Sequence, residues 1–147
     1  MSPIEERLWA ALATPDMVEV ANFRLMSRCD ASEVIARTGA IEGGRKVSGV
    51  IAHQVRFDSY VIDIVVTSRM RGLPLLIAVE CDGHDFHERT KEQAARDKSR
   101  DRALVKAGFR VIRFTGSEIW HRPSECADEI VDIIEGEWHR RENAHAS

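Results

Sequence analysis

The 147-residue sequence contains no apolar run that approaches the roughly 20 residues a membrane-spanning helix needs. The first twelve residues, MSPIEERLWAAL, carry two glutamates where a signal peptide would have basic residues followed by an apolar stretch. The three cysteines, Cys29, Cys81 and Cys126, are widely spaced and form no evident disulfide framework. These absences predict a cytoplasmic protein.

Several functional signatures are also missing. The chain has no helix-turn-helix or zinc-finger pattern, no Walker A loop, no GxSxG motif and no internal repeat. A net charge of −3 argues against a general polyanion binder. The length and the ordinary balance of 44% apolar and 31% charged residues predict one globular domain over 1–147, ordered to about residue 142 and followed by a short C-terminal tail.

The order of hydrophobic patterns predicts a mixed α/β domain with helices on a small central sheet. Ser2 and Glu5 have the spacing of a capping box at the start of the first helix. Asp30 is expected to cap a short helix ending at Arg37, and Ser117 a short helical turn. The remaining elements are helices over 2–12, 88–107 and 124–140 and strands over 55–66, 75–82 and 109–114.

Three carboxylates occupy positions that a buried strand would normally fill with apolar residues. Asp63 lies within YVIDIVV, and Glu80 and Asp82 lie at the end of LLIAVECD. A buried carboxylate is costly unless it is paired or binds a cation. With the hairpin turn centred between residues 70 and 71, Asp63 would face Ala78 and lie diagonally from Glu80, about 7–8 Å away. Such oxygen ligands suit Mg²⁺ or Mn²⁺.

The spacing of Asp63, a hairpin and then Glu80-Cys81-Asp82-Gly83 resembles the PD-(D/E)XK nuclease superfamily. Within it, the chain is most similar to small stand-alone domains related to very short patch repair endonucleases. The resemblance implies a restriction-endonuclease-like α-β-β-β-α-β core. Further positions that match the pattern are Glu5, Gln54, Tyr60, His84, Asp97, Arg100, Leu104, Gly108, Val111, Arg113, Phe114 and Glu118.

This resemblance implies a Mg²⁺- or Mn²⁺-dependent endonuclease that hydrolyses DNA phosphodiester bonds. Asp63, Glu80 and the Cys81 backbone carbonyl would hold the ion, with Glu5 as a candidate additional ligand. The expected catalytic residues are Asp63, Glu80, Asp82 and His84.

The segment from Glu88 to Gly108 is basic, with seven basic and four acidic residues. It is expected either to contact phosphates or to form an ordinary solvated helix face. With no separate reading domain, base-specific contacts would have to come from a homodimer or from residues 17–50. The expected nucleic-acid contacts are Gln54, Lys91, Arg96, Arg100 and Arg113.

The sequence departs from the superfamily pattern at one position, where Asp82 replaces the usual lysine. Lys91, Lys98 or Gln54 could approach the same space. Structural interpretations also remain open for the acids. Asp63 and Glu80 could form a pair satisfied by Arg100 or Arg113, Asp82 could cap the turn at Gly83, and Glu5 could serve only its capping box.

Two other functions are compatible with the sequence. One is a non-catalytic nucleic-acid-binding module that kept the fold and lost the lysine. The other is a structural-zinc protein using Cys81, His84 and His87, with a distant fourth ligand such as Cys126. His84 could instead protonate a leaving oxygen, contact a phosphate or have no role.

Overall fold

The computed structural model describes residues 1–83 and 90–146. The predictions for His84 and His87 therefore lie outside the described residues. A five-residue π-helical turn, Asp16–Val20, follows the first helix. The other elements are α1 Pro3–Leu12, β1 Phe23–Ser27, α2 Ala31–Arg37, β2 Ile41–Glu42, β3 Arg45–Lys46, β4 Gly49–Phe57, β5 Tyr60–Ser68, β6 Leu75–Asp82, α3 Lys91–Lys106, β7 Phe109–Thr115, α4 Gly116–His121 and α5 Pro123–Ala146.

The central sheet has five strands in the order β1-β4-β5-β6-β7, and β2 and β3 form a separate small hairpin. Strand β5 is antiparallel to both of its neighbours, β4 and β6, whereas β1 is parallel to β4 and β7 is parallel to β6. The elements α1, β4, β5, β6, α3 and β7 follow one another in the order α-β-β-β-α-β. The predicted mixed α/β fold is confirmed and is compatible with a restriction-endonuclease-like fold.

Helices cover both faces of this sheet. On one face, Leu8 of α1 and Ile130 of α5 belong to a buried cluster that includes Ile64 and Ile77. On the other face, Leu104 of α3 packs into a second cluster, together with residues of α2. The middle strands are therefore buried on both sides, so any carboxylate at their ends is withdrawn from water.

None of the helices in the described ranges combines the length and apolar character needed to cross a membrane.

The first helix begins as its sequence predicts. The Glu5 backbone N–H donates to Ser2 Oγ over 3.3 Å, and the Ser2 N–H donates to Glu5 Oε2 over 2.9 Å. The capping box is therefore confirmed. The short helix α2 and the end of α3 before Gly108, which has φ +94°, are also confirmed, but the Asp30 side chain makes no capping bond to α2 and instead accepts from Arg56 Nε over 2.7 Å.

The prediction of a single strand over 55–66 is wrong. Phe57 pairs with Tyr60 across a two-residue turn, and Asp58 adopts the left-handed conformation with φ +55°. The segment therefore belongs to two strands, β4 and β5. Its β-branched and aromatic residues continue on both sides of the turn, which hides the reversal from a pattern based on composition.

Several helix boundaries also differ from the sequence prediction. Thr115, not Ser117, caps α4, because its hydroxyl accepts the Glu118 N–H over 3.1 Å. The last helix begins at Pro123 rather than after a Ser124 cap, and it runs through Ala146 instead of ending near residue 140. The predicted loose tail is therefore helical over 143–146. Strand β1, within the segment 17–50, was not predicted.

Candidate active site

The strand pairing brings Asp63 and Glu80 together, although in a different register from the predicted one. Ile64 pairs with Val79, so continuing the β5–β6 register places Asp63 opposite Glu80, not opposite Ala78. The turn is centred one residue later than expected, which moves the pairing by two residues. A shift of two keeps every side chain on its predicted face and brings the two acids closer.

These acids belong to a row of polar side chains that crosses the sheet. Gln54 lies between the His53–Ile64 and Val55–Ile62 pairs and therefore opposite Asp63. At the other side, Glu80 pairs with Arg113 of β7. The row thus contains, in order, Gln54, Asp63, Glu80 and Arg113, each from a different strand.

Gln54 interrupts the regular alternation of β4. Its φ of +54° is a left-handed conformation that costs a non-glycine residue about 1–2 kcal/mol. As a consequence, the side chains of the consecutive residues His53 and Gln54 both contact α1. The His53 ring meets the Trp9 ring edge-on with their centroids 4.7 Å apart, and Gln54 Nε2 donates to Glu5 Oε2 over 3.3 Å. The predicted nucleic-acid contact Gln54 therefore holds Glu5 in this structure.

Glu5 joins the acidic group as well as capping α1. Its side chain is nearly buried, and its carboxylate contributes to the raised pKa of Asp63. The structural and the functional expectations for Glu5 are thus compatible, because one oxygen serves both the Ser2 N–H and the Gln54 amide.

Burial raises the pKa of both central acids. The pKa of Asp63 rises to about 6, mainly through desolvation and then through the neighbouring Glu5, while the Cys81 N–H bond of 2.9 Å opposes the rise. The pKa of Glu80 rises to about 8, first by desolvation and then by the charge of Asp63, with Arg100 acting against both. Two facing carboxyls that resist ionisation are stabilised when a cation binds between them.

Glu80 has unused hydrogen-bonding capacity. Its side chain is only 2% exposed, and Oε2 lies 3.6 Å from Arg100 Nη2. Within the described part of the chain, Glu80 Oε1 is buried without a hydrogen-bond partner. A buried carboxylate oxygen in this state calls for a ligand that the described side chains do not supply.

This donor set fits a divalent cation held mostly by water and substrate oxygens. Mg²⁺ is commonly bound through one or two carboxylates with phosphate and water completing its shell. Asp63, Glu80 and the Cys81 carbonyl would supply the protein ligands. Over residues 1–83 and 90–146, no three His, Cys, Asp or Glu side chains converge closely enough to hold a metal ion by themselves.

Asp82 and Arg113 form part of a neighbouring ion-pair network. Arg113 Nη1 donates to Asp82 Oδ1 over 3.0 Å, and its Nη2 donates to Asp101 Oδ1 over 2.8 Å. Desolvation lowers the pKa of the Arg113 guanidinium, but the hydrogen bonds and charge of Asp101, together with the charges of Asp82 and Glu80, outweigh it, so this pKa is raised overall. Arg113, predicted to contact DNA, here fixes the carboxylate that replaces the superfamily lysine.

The cation next to the central pair is an arginine from α3. Arg100 reaches Glu80 and also lies 3.7 Å from Asp97. In the residues described, neither Lys91 nor Lys98 forms an ion pair with Asp63 or Glu80. Both lysines are exposed on α3, as is Arg96, and their predicted phosphate contacts stay predictions.

The environment of Cys81 does not favour a zinc ligand. Its side chain packs against the core that contains α1 and α5. Burial and the surrounding carboxylates raise the pKa of the thiol well above its usual range. Because zinc binds the thiolate, this setting works against the structural-zinc alternative.

The restriction-endonuclease-like family model REase_MTES_1575 matches residues 45–134, more than half of the chain. The chain therefore belongs to this restriction-endonuclease-like family. The matched range contains Asp63, Glu80 and Asp82 but not Glu5. No curated protein and no solved structure gives a significant match.

Proposed function

We propose that the protein is a metal-dependent endonuclease that hydrolyses DNA phosphodiester bonds. One observation carries the proposal: Asp63 and Glu80 face each other on neighbouring buried strands, and Glu80 Oε1 has no hydrogen-bond partner in the described residues. Membership in a restriction-endonuclease-like family supports the same chemistry.

In this proposal Asp63, Glu80 and the Cys81 carbonyl hold Mg²⁺ or Mn²⁺. The bound cation would supply charge neutralisation at the scissile phosphate and acidify an attacking water. The Cys81 N–H donates to Asp63 Oδ2 over 2.9 Å and so fixes the orientation of this carboxylate beside Glu80. Arg100 keeps Glu80 closer to its ionised state, because its positive charge lowers the pKa of that carboxyl.

Arg100 is also the cation that we assign to the space of the missing lysine. It comes from α3 rather than from β6, so a different element would provide the positive charge. Asp82, held by Arg113, would order this side of the site without binding the ion directly. The narrower similarity to very short patch repair endonucleases remains part of the proposal.

The first test is cleavage of supercoiled plasmid and of single-stranded DNA with Mg²⁺, with Mn²⁺ and with EDTA. We expect cleavage only with a divalent cation. Asp63→Asn should abolish it, because the amide keeps the Cys81 hydrogen bond but removes the charge that binds the ion. Its affinity for DNA in EDTA should be unchanged or higher, since one negative charge is lost.

Asp30→Asn is a matched control. Asp30 is a half-exposed acid that pairs with Arg56 at 2.7 Å and occupies the N-cap position of α2 without a side-chain capping bond, and asparagine is favoured at such a position. This control should cleave like the wild type. If Asp63→Asn melts much earlier than both proteins, the lost cleavage reflects unfolding and the catalytic assignment is wrong.

The second candidate is a DNA-binding module without catalysis. It is favoured by one specific observation: the ion pair of Glu80 with Arg100 resembles an acid satisfied by its own chain. Binding without cleavage under every metal condition would support this candidate and contradict the proposed enzyme.

A further inference from the structure

A second charged surface lies at the opposite end of the sheet from Asp63 and Glu80. It is formed where β3 ends and where the β5–β6 turn begins. We call it the basic rim and define it by four exposed side chains, Arg45, Lys46, Arg69 and Arg71.

The basic rim is formed by two segments of the chain, and two of its side chains donate hydrogen bonds to backbone carbonyls. Lys46 Nζ donates to the Met70 carbonyl over 3.3 Å, which joins the β2–β3 hairpin to the β5–β6 turn. Arg69 Nε donates to the Gly72 carbonyl over 3.1 Å. A Cβ at Gly39 would lie 2.6 Å from Arg69 Cδ, so this arginine is packed closely against the loop after α2.

The rim charges are not neutralised by carboxylates in the described structure, where no ion pair involves any of the four. The nearby acids are already used by other arginines. Glu42 is bound by Arg37 at 2.9 Å and approached by Arg24 at 3.6 Å. On the other side, Glu137 is bound by three arginines of β7 and α5. These two glutamates are thus already paired with arginines outside the rim.

Such charge is out of proportion to the chain, whose net charge is −3. Concentrated, exposed cations that are partly fixed by backbone carbonyls match the requirement for binding a row of phosphates. Contacts of this kind position the DNA backbone and carry no base sequence information. We propose that the basic rim binds the phosphate backbone of DNA flanking the position that is cut. This inference rests on the proposed function for the identity of the polyanion.

The length of β5 gives the distance between Asp63 and the basic rim. Ser68, next to Arg69, lies five residues along β5 from Asp63, which corresponds to about 17 Å. Helices cover both faces of the sheet, so this distance is a lower bound, and at about 3.4 Å per base pair a duplex that contacts both sites spans at least roughly five base pairs. Short duplexes would therefore reach one site but not both.

The test is DNA binding in EDTA by Arg45→Glu/Arg71→Glu. No side-chain hydrogen bond of either residue is present in the described structure, so the variant should fold like the wild type, as melting will verify. Arg7→Glu/Arg122→Glu is the matched control, with folding checked by melting because Arg7 donates to the Trp120 carbonyl. It makes the same change in net charge at two exposed positions outside the rim.

For a duplex of about 30 base pairs, we expect the rim variant to lose at least about tenfold in affinity at moderate salt, and the slope of log K against log salt to fall by about two. The control should bind within a few-fold of the wild type.

Equal losses in both variants would show that only overall charge matters and would overturn the proposal, as would an unchanged rim variant. Binding of both variants to vesicles with anionic headgroups is measured separately. A membrane is the other polyanionic surface to test, because Leu73, an apolar side chain beside the rim, is 80% exposed. Loss of vesicle binding with intact DNA binding would assign the rim to membranes and overturn the proposal. Absence of cleavage in the wild type with rim-dependent DNA binding would contradict the proposed function and leave only the contact between the rim and the DNA backbone standing.

Discussion

Glu80 and Glu137 are the same residue type at opposite ends of the molecule, and their surroundings shift their pKa values in opposite directions. Burial and the facing Asp63 raise the pKa of Glu80 to about 8. Hydrogen bonds from Arg140 and Arg110, with a further one from Arg141, lower the pKa of Glu137 to about 2. Glu137 is already fully compensated, whereas Glu80 has an unpartnered oxygen in the described structure. The comparison separates an acid whose charge is compensated by arginines from a buried acid with an unpartnered oxygen, which is the one that we propose as a metal ligand.

Cleavage should distinguish the two glutamates most strongly. Glu80→Gln removes a charged metal ligand and is expected to lower the cleavage rate by about a thousandfold or more, since metal stabilisation of the reacting phosphate amounts to several kcal/mol. Glu137→Gln should retain cleavage, because it lies at the far end of the sheet. Initial rates on plasmid DNA with saturating Mg²⁺ test both variants. Wild-type cleavage by Glu80→Gln would show that the assigned site is wrong.

The pH dependence of stability should have opposite signs for the two acids. In metal-free protein, Glu80 holds its proton better when folded, so its contribution is complete below about pH 4.5 and is lost as the pH rises towards 8. Glu137 contributes above pH 4.5 and loses its contribution as the pH falls towards 2. Denaturant unfolding in EDTA gives the free energy of unfolding at each pH. The loss of this free energy as the pH rises towards 8 should be smaller in Glu80→Gln than in the wild type, by on the order of a few kcal/mol.

The same measurement has a clear control. Glu137→Gln should destabilise the protein by about 1–2 kcal/mol at neutral pH, because charged hydrogen bonds are lost near the surface. The change in the free energy of unfolding between pH 5 and 8 should be the same in Glu137→Gln as in the wild type. If the free energy of unfolding of Glu80→Gln changed with pH as it does in the wild type, Glu80 would be ionised over the whole range from pH 5 to 8. Its pKa would then not be raised and would no longer support a cation between Asp63 and Glu80.

Arg100 offers a smaller and more specific test of the acidic end. Arg100→Gln removes the charge that holds down the pKa of Glu80, so cleavage should require a higher pH, with the profile moving by about one unit. Arg100→Lys should restore most of the shift. A uniform loss of rate at every pH would assign Arg100 a different role from the one proposed here.

The smallest expected effect concerns Gln54. Its left-handed backbone favours glycine, so Gln54→Gly should be more stable than Gln54→Ala by about 1 kcal/mol. Both variants lose the hydrogen bond to Glu5, so their difference isolates the backbone term. Equal stability of the two would show that Gln54 carries no strain.

The sequence was informative about individual acids because their chemistry conflicts with their surroundings. Asp63 and Glu80 could be identified as unusual from the apolar residues on either side of them. Their partners could not be identified in this way. Arg100 lies on a helix with many other charges, and no local pattern shows which of its basic residues turns towards β6. The lysines suggested for that space form no ion pair with the two acids within the described residues.

Sequence-local rules determined the α1 capping box, the end of α3 and the apolar strands, because each depends on residues a few positions apart. Tertiary structure decided the rest. The β5–β6 register depends on where a long turn closes, which no pair of adjacent residues encodes. The left-handed Gln54 turns two consecutive side chains towards α1. The basic rim is invisible in the sequence for the same physical reason: its four cations come from separate segments, and only strand pairing and the packing of the turns bring their charges together.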